Sequence, residues 1–293
     1  MLPCCDRRLD IEKLGSGVMI DETMSQVQST ALNSVESDAI DAKYSRETVL
    51  SVRRWSDSLF SFVMTRPAHF RFTAGQFARI GIEVAGDAPI VRAYSVVSSP
   101  FAETLEFFSI VVPNGAFTSR LNTLQVGDKL LLERIPYGFL TLARYQEPAP
   151  HDLWLLATGT GLAPFLSILQ DFAVWQNYRH IVLAYSVRTI EELAYVHQIN
   201  ALAETFADEG WASFQFIPVV TRDPSFALHE RLPVLIQSGQ LEQSASLSFN
   251  VTTSHVMLCG NPQMIDDTRN ALKARGLIMN RRGVGNIAVE NYW

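Results

Sequence analysis

Across Pro148 and Pro150 the chain changes its hydrophobic pattern, and few architectures accommodate both patterns at once. Before the prolines lie short β-rich runs separated by turn residues: Thr48 to Arg53, Leu59 to Met64, Gln76 to Val84, Leu105 to Val112 and Lys129 to Ile135, with one short helix starting at Phe117. Beyond them, apolar runs of strand length (Leu153 to Ala157, Ile181 to Tyr185, Phe214 to Val220, Val256 to Leu258) alternate with helical stretches. The helices are expected over Pro164 to Trp175, Ile190 to Phe206, Arg231 to Ser238 and Pro262 to Arg275. Many short strands with one helix predict an antiparallel β-barrel, closed so that no sheet edge is left open. Strand–helix alternation predicts an α/β domain with a parallel sheet covered on both faces. Two domains are therefore expected, 43–147 and 148–293, meeting near Glu147.

A chain of 293 residues, 47% of them hydrophobic, can supply two cores. No run approaches the roughly 18 apolar residues of a membrane span. Cys4, Cys5 and Asp6 stand where a secretory leader would need its apolar centre, so a cytoplasmic protein is expected. Three cysteines make neither a disulfide framework nor a four-cysteine iron–sulfur site, and no metal site is expected. Residues 1–42 are rich in Ser, Asp and Glu and read as a flexible tail, or as non-native sequence upstream of a later start such as Met19 or Met24. The Cys4–Cys5 pair reads as incidental, with metal binding or lipidation as alternatives. The net charge of −6 is spread as −5, +3 and −4 over residues 1–42, 43–150 and 151–293. A basic face on the middle segment, with Arg53, Arg54, Arg66, Arg71 and Arg79, would steer an acidic partner; an ordinary solvated surface is the alternative. Nucleic-acid binding would want far more positive charge.

Arg92-Ala93-Tyr94-Ser95 follows the turn through Gly86, Asp87 and Pro89, at a strand edge. An arginine fork suits a pyrophosphate, a tyrosine stacks on a flat ring such as isoalloxazine, and a serine is small enough to let that ring approach while offering a hydrogen bond towards its N5. Taken alone, these four residues fit a chance strand with a surface arginine equally well. Thr158-Gly159-Thr160-Gly161-Leu162-Ala163-Pro164 joins a strand to a helix, where glycines let the backbone approach a pyrophosphate and helix-end amides point at it. Pro164 replaces the third glycine of the usual dinucleotide fingerprint. Val187-Arg188 ends the second strand, Thr221-Arg222 the third, and Arg231 follows. Arginines suit a ribose 2′-phosphate where an NAD site tends to place a carboxylate, so NADP is favoured over NAD. Glu191 and Glu192 lie close enough to complicate this, and any one of the three arginines could be merely solvated. Cys259-Gly260-Asn261-Pro262-Gln263-Met264 follows a buried strand and opens a helix, and the chain ends on Glu290-Asn291-Tyr292-Trp293. Two terminal aromatics expose much apolar surface unless they lie against something flat.

Arg-x-Tyr-Ser, Gly-Thr-Gly-x-x-Pro, Cys-Gly-Asn-Pro-x-Met and the final Tyr-Trp occur in this order between about Lys43 and Trp293. The set resembles the ferredoxin–NADP reductases, most of all the bacterial flavodoxin/ferredoxin type ending in Tyr-Trp. The resemblance implies an FAD-binding barrel followed by an NADP-binding α/β domain. It implies hydride transfer from NADPH to the flavin N5, and a monomer passing electrons singly to a transient, acidic ferredoxin or flavodoxin. For FAD it implies Arg92, Ala93, Tyr94 and Ser95, then Phe108, Ser109, Ile110 and Val111 along the ring and ribityl chain, although Phe108 and Ile110 equally suit barrel core. Backbone amides of Ala116, Phe117 and Thr118 would meet the pyrophosphate, with Thr160 at the ring edge. For NADP it implies Thr158, Gly159 and Gly161, then Val187, Arg188, Thr221, Arg222 and Arg231 around the 2′-phosphate. Cys259, Gly260, Asn261 and Met264 would lie beside the nicotinamide. Ser95, Cys259, Glu290 and Tyr292 are expected at the reacting centre, Cys259 as a positioning group or else a small buried cysteine without chemistry, and Glu290 in support of hydrogen bonding. Tyr292 would cover the flavin face opposite Tyr94, and Trp293 the adenine. The rival readings are an oxygenase reductase component or another NAD(P)H diaphorase on the same scaffold, and a flavin sensor that binds without turnover.

Overall fold

The computed structural model describes residues 40–145, 149–208 and 210–291. The expectations for residues 1–39, for a boundary at Glu147 and for Tyr292 and Trp293 lie outside the described residues. The chain divides after Tyr44, and the architecture below belongs to the unit Ser45–Trp293.

The first half is the antiparallel sheet that short alternating runs predict. Its strands are β1 (Tyr44–Arg54), β2 (Leu59–Thr65), β3 (Phe77–Val84), β4 (Asp87–Ser95), β5 (Thr104–Ile110) and β6 (Lys129–Glu133), in the order β4-β3-β6-β1-β2-β5. The two outer strands meet where Val96 bridges Phe107 and the Val97 amide donates to the Glu106 carbonyl (2.9 Å), which closes the sheet on itself. Strands β2 and β5 are apolar on both faces for a reason. Phe60, Phe62 and Phe107 fill the barrel, whereas Leu59 and Phe108, pointing the other way, join the core of the second half. A short helix, α1 (Thr118–Leu121), precedes β6.

The second half is a parallel sheet of β7 (Asp152–Thr158), β8 (His180–Val187), β9 (Ser213–Val220), β10 (Ser254–Gly260) and β11 (Ile287–Asn291), ordered β11-β10-β7-β8-β9. Alternate residues of β7 serve opposite faces, Leu153, Leu155 and Ala157 one core and Trp154 and Leu156 the other, as a sheet covered on both sides requires. The helices are α2 (Ala163–Leu169), α3 (Phe172–Asn177), α4 (Val196–Thr205), α5 (Leu232–Ser238), α6 (Gln240–Ala245) and α7 (Pro262–Ala274).

Two expected helices are broken. The stretch Pro164 to Trp175 splits because Asp171 turns extended and its carboxylate accepts from the Ala173 amide, capping α3. At the break, the Gln170 side-chain amide donates to the Val97 carbonyl (2.7 Å), and Ser167 Oγ to the Ser98 carbonyl (2.8 Å), tying α2 to the barrel. The stretch Ile190 to Phe206 begins as a 3-10 turn (Ile190–Glu192) and becomes helical only from Val196. Between them Tyr195 adopts φ 62°, buried, with its hydroxyl donating to Glu106 of β5 (2.7 Å). Helix α6 and strands β4 and β11 were not expected as such, and β11 turns part of the supposed tail into a sheet edge. Among the described residues no helix is long and apolar enough to cross a membrane, and no group of three or more His, Cys, Asp or Glu could hold a metal ion.

Candidate functional site

Parallel strands collect their C-terminal ends on one side, and the loops that leave them line a cleft of about 530 Å³. Thr158 ends β7 and Gly159 and Thr160 follow it, Val187 and Arg188 end and follow β8, Thr221 and Arg222 follow β9, and Gly260 and Asn261 end and follow β10. Arg231, Leu232 and Pro233 from the start of α5, and Met264 from α7, complete that wall, while Leu59 and Ile110 of the barrel form the other. The cleft therefore runs from a cluster of arginines to the barrel. Continued pairing beyond β8 and β9 sets two of those arginines side by side: the Thr221 amide donates to the Val187 carbonyl and the Arg222 amide to the Arg188 carbonyl, both at 2.9 Å. Among the described residues the guanidinium groups of Arg222 and Arg231 carry no hydrogen bond or ion pair, while Arg188 is held by Glu192.

The two glycines of the turn do different work. Gly159 has φ 53° and open space where a Cβ would stand, so its backbone faces the cleft. Gly161 is buried, and a Cβ there would collide with the Cys259 carbonyl; it lets the turn pack on β10 rather than lining the cleft. Gly260, at φ 134°, is likewise forced by contact with Thr158, whose hydroxyl accepts from the Asn261 amide (3.0 Å). Asn261 caps α7, accepting from the Gln263 and Met264 amides.

Where the barrel meets β11, Ser95 Oγ donates to Glu290 Oε1 at 3.1 Å. Burial pushes the Glu290 carboxyl up to about 7, and only the Ser95 bond pulls it the other way. Next to Ser95, the Tyr94 hydroxyl bonds Ser109 Oγ (3.1 Å), and its ring meets Phe62 and Phe107 edge-on and Phe117 at a tilt. The Tyr94 ring is thus fixed against the barrel core, and the residue remains partly buried. Arg92 is exposed, with one of its terminal nitrogens on the Val91 carbonyl.

Residues 48–140 match the oxidoreductase FAD-binding domain family, and residues 155–270 the oxidoreductase NAD-binding domain family. A ferredoxin–NADP reductase of Pseudomonas aeruginosa is 42% identical over 240 residues, 80% of this chain and 92% of that protein. The flavodoxin/ferredoxin–NADP reductase of Escherichia coli strain K12 is 39% identical over 250 residues, 84% of this chain and 97% of that protein. The chain belongs to the ferredoxin–NADP reductase family. Among solved structures, a ferredoxin NADP+ reductase from Neisseria gonorrhoeae with bound FAD and NADP superposes with a TM-score of 0.79 at 37% identity, covering 86% of this chain and 99% of that one.

Not every residue expected to serve this family's chemistry reaches the cleft with its side chain. The Phe108 ring is buried edge-on against Tyr195 (centroids 5.2 Å apart), in the core shared by the two halves. Ile110 does line the cleft, whereas Val111 packs on the barrel core. Ser109 is buried and engaged with Tyr94, and the Phe117 side chain is buried behind Tyr94. Ala116 is exposed, and Thr118 turns back, its hydroxyl bonded to both the amide and the carbonyl of Val112. Cys259 is fully buried in the sheet, in keeping with a packing residue rather than one facing the cleft. Sequence reasoning missed Ser186, Gln263 and Asp267 as cleft residues. The last two lie one turn apart on α7, and the Gln263 side-chain amide donates to Asp267 (2.9 Å), an i,i+4 spacing that could have flagged them.

Proposed function

We propose that this chain is an FAD-dependent reductase that carries electrons between NADPH and a one-electron carrier, a ferredoxin or a flavodoxin. The observation that carries this reading is the cleft itself, with three arginines at one end, a backbone turn with room for phosphate in its middle and the barrel wall at the other end. Bound FAD supplies the chemistry of taking electrons from the nicotinamide in a pair and releasing them singly. The residues of the barrel fit that group: the partly buried Tyr94 ring is held for stacking, the Arg92 fork is exposed for a pyrophosphate, and Ser95 offers a small hydroxyl beside them. Arg222 and Arg231 bind the 2′-phosphate of NADPH, and Gly159 lets the turn approach its pyrophosphate. Glu290 holds a proton near neutral pH at the carboxylate that Ser95 touches. No nucleophile is needed, so the contribution of the protein is alignment and electrostatics.

The reading includes a division into an FAD half and an NADP half near Glu147, supported by the gap between the two family matches. It also includes a cytoplasmic monomer whose carrier partner is acidic and transient. Arg71 is exposed on the barrel and open to such a partner, whereas Arg79 pairs with the Glu133 carboxylate (3.7 Å), Arg53 lies over the Trp55 ring and Arg66 is spent on the carbonyls of Phe70, Pro100 and Ala102. The test is anaerobic reduction of the flavin-loaded protein by NADPH and by NADH, followed in the flavin absorbance band. Fast bleaching with a large preference for NADPH supports the reading. A bound flavin that neither nucleotide reduces overturns it.

A further inference from the structure

The arginine end of the cleft also holds an acid. Glu192 closes the 3-10 turn after β8, and its backbone is fixed where the Tyr185 hydroxyl donates to its carbonyl (3.2 Å). Its carboxylate accepts from the Arg188 backbone amide (3.0 Å), from Arg188 Nε (2.9 Å) and from Arg188 Nη2. This grip takes the Nε edge of the guanidinium and leaves Nη1 as the donor with no described bond. Burial alone would push the Glu192 carboxyl up, but the bonds from Arg188 outweigh it and hold the group below the ordinary carboxylate range, so Glu192 is ionised at neutral pH.

Dinucleotide folds that take NAD place a carboxylate at the ribose 2′-position, and those that take NADP place an arginine there. This cleft presents both on one turn, with Arg222 close enough to act electrostatically on Glu192, and Asp267 on the facing helix. We propose that Glu192 is a specificity-determining residue, one whose negative charge opposes the incoming 2′-phosphate and so moderates the preference for NADPH over NADH. The inference rests on the NADPH reading above. Arg188 gains a fixed orientation from Glu192, and the cleft loses part of its positive potential; a dianion feels the second effect more than the first, because a charge contact outweighs the ordering of one side chain.

The test is Glu192→Gln in the flavin-loaded enzyme, since glutamine keeps an oxygen for Arg188 and removes the charge. Binding of 2′-phospho-AMP and of AMP is measured by calorimetry for both proteins. The ratio of the AMP dissociation constant to that of 2′-phospho-AMP rises on the order of tenfold in the variant, as one unit charge facing a dianion in a half-solvated cleft predicts. The NADPH-to-NADH ratio of kcat/KM rises with it, the change being carried by KM. A ratio that stays the same or falls means that Glu192 only orients Arg188, and the proposal is wrong. A wild-type enzyme that does not distinguish the two nucleotides overturns the NADPH reading instead, which separates the two failures.

Discussion

Ser95 Oγ donates to Glu290 Oε1 across 3.1 Å, joining the end of β4 to a strand edge 195 residues later in the chain. The pair couples the barrel to the parallel sheet through a carboxyl whose proton is held by burial up to about 7. A carboxyl raised in the folded state favours folding below its unfolded value of about 4.3 and loses that contribution as pH rises through 7. Stability should therefore decline from this group between about pH 4.3 and 7, by on the order of 3 kcal/mol in all. Glu290→Gln should remove that part of the slope in thermal unfolding followed against pH. Ser95→Ala, which deletes the one bond favouring the ionised form, should push the carboxyl higher still. An identical pH dependence in wild type and Glu290→Gln would show that the carboxyl is not held this way.

Much of this arrangement was legible in the chain. The change of pattern at Pro148 marked two sheet types, and Arg188, Arg222 and Arg231 line the cleft because each follows or lies shortly beyond a strand end. Tertiary demands account for what was not legible. Phe108 and Leu59 look like barrel residues, but alternate positions on β2 and β5 serve a second core that only the docked α/β half creates. The helix after β8 is interrupted at Tyr195 because its hydroxyl is taken by Glu106, a partner 89 residues earlier. Gly161 matches a phosphate-binding pattern yet answers to the Cys259 carbonyl, a contact between the turn after β7 and β10 that no local pattern encodes.

The two glycines should therefore respond differently to alanine. At Gly159 the added methyl meets open space, and the cost is the positive φ alone, about 1–2 kcal/mol. At Gly161 the methyl meets the backbone of β10, so the turn must move away from the sheet. Gly161→Ala should lose more stability in urea than Gly159→Ala and should also weaken NADP+ binding through the displaced turn. Equal losses in the two variants would remove the packing role of Gly161.

Arg222 stands at the end of β9 with a guanidinium that makes no bond among the described residues, beside an Arg188 already engaged by Glu192. Arg222→Ala should raise KM for NADPH by roughly tenfold to a hundredfold, the worth of one charge-assisted phosphate contact, while raising KM for NADH far less. Steady-state kinetics with both nucleotides measures the difference. Equal effects on the two would take Arg222 away from the 2′-phosphate.

His255 lies at the far end of β10 from the cleft, stacked on the Tyr145 ring with centroids 3.6 Å apart and with Nδ1 2.9 Å from the Tyr178 hydroxyl. Burial among these rings drives its pKa down to about 4, so the folded protein keeps it neutral where the unfolded chain would take up a proton. Below about pH 6.5, the unfolded value, each step down in pH favours the unfolded state, until near pH 4 the folded form is protonated too. This slope has the opposite sign to that of Glu290 over much of the same window, so the wild-type profile should be flatter than either group alone would make it. Glu290→Gln should expose the loss of stability on acidification, and adding His255→Gln should flatten it again. Circular dichroism melts at pH 4.5, 5.5, 6.5 and 7.5 distinguish the cases. If the double variant kept the acid slope of Glu290→Gln, the proton uptake would belong to another group and the buried imidazole would have no part in it.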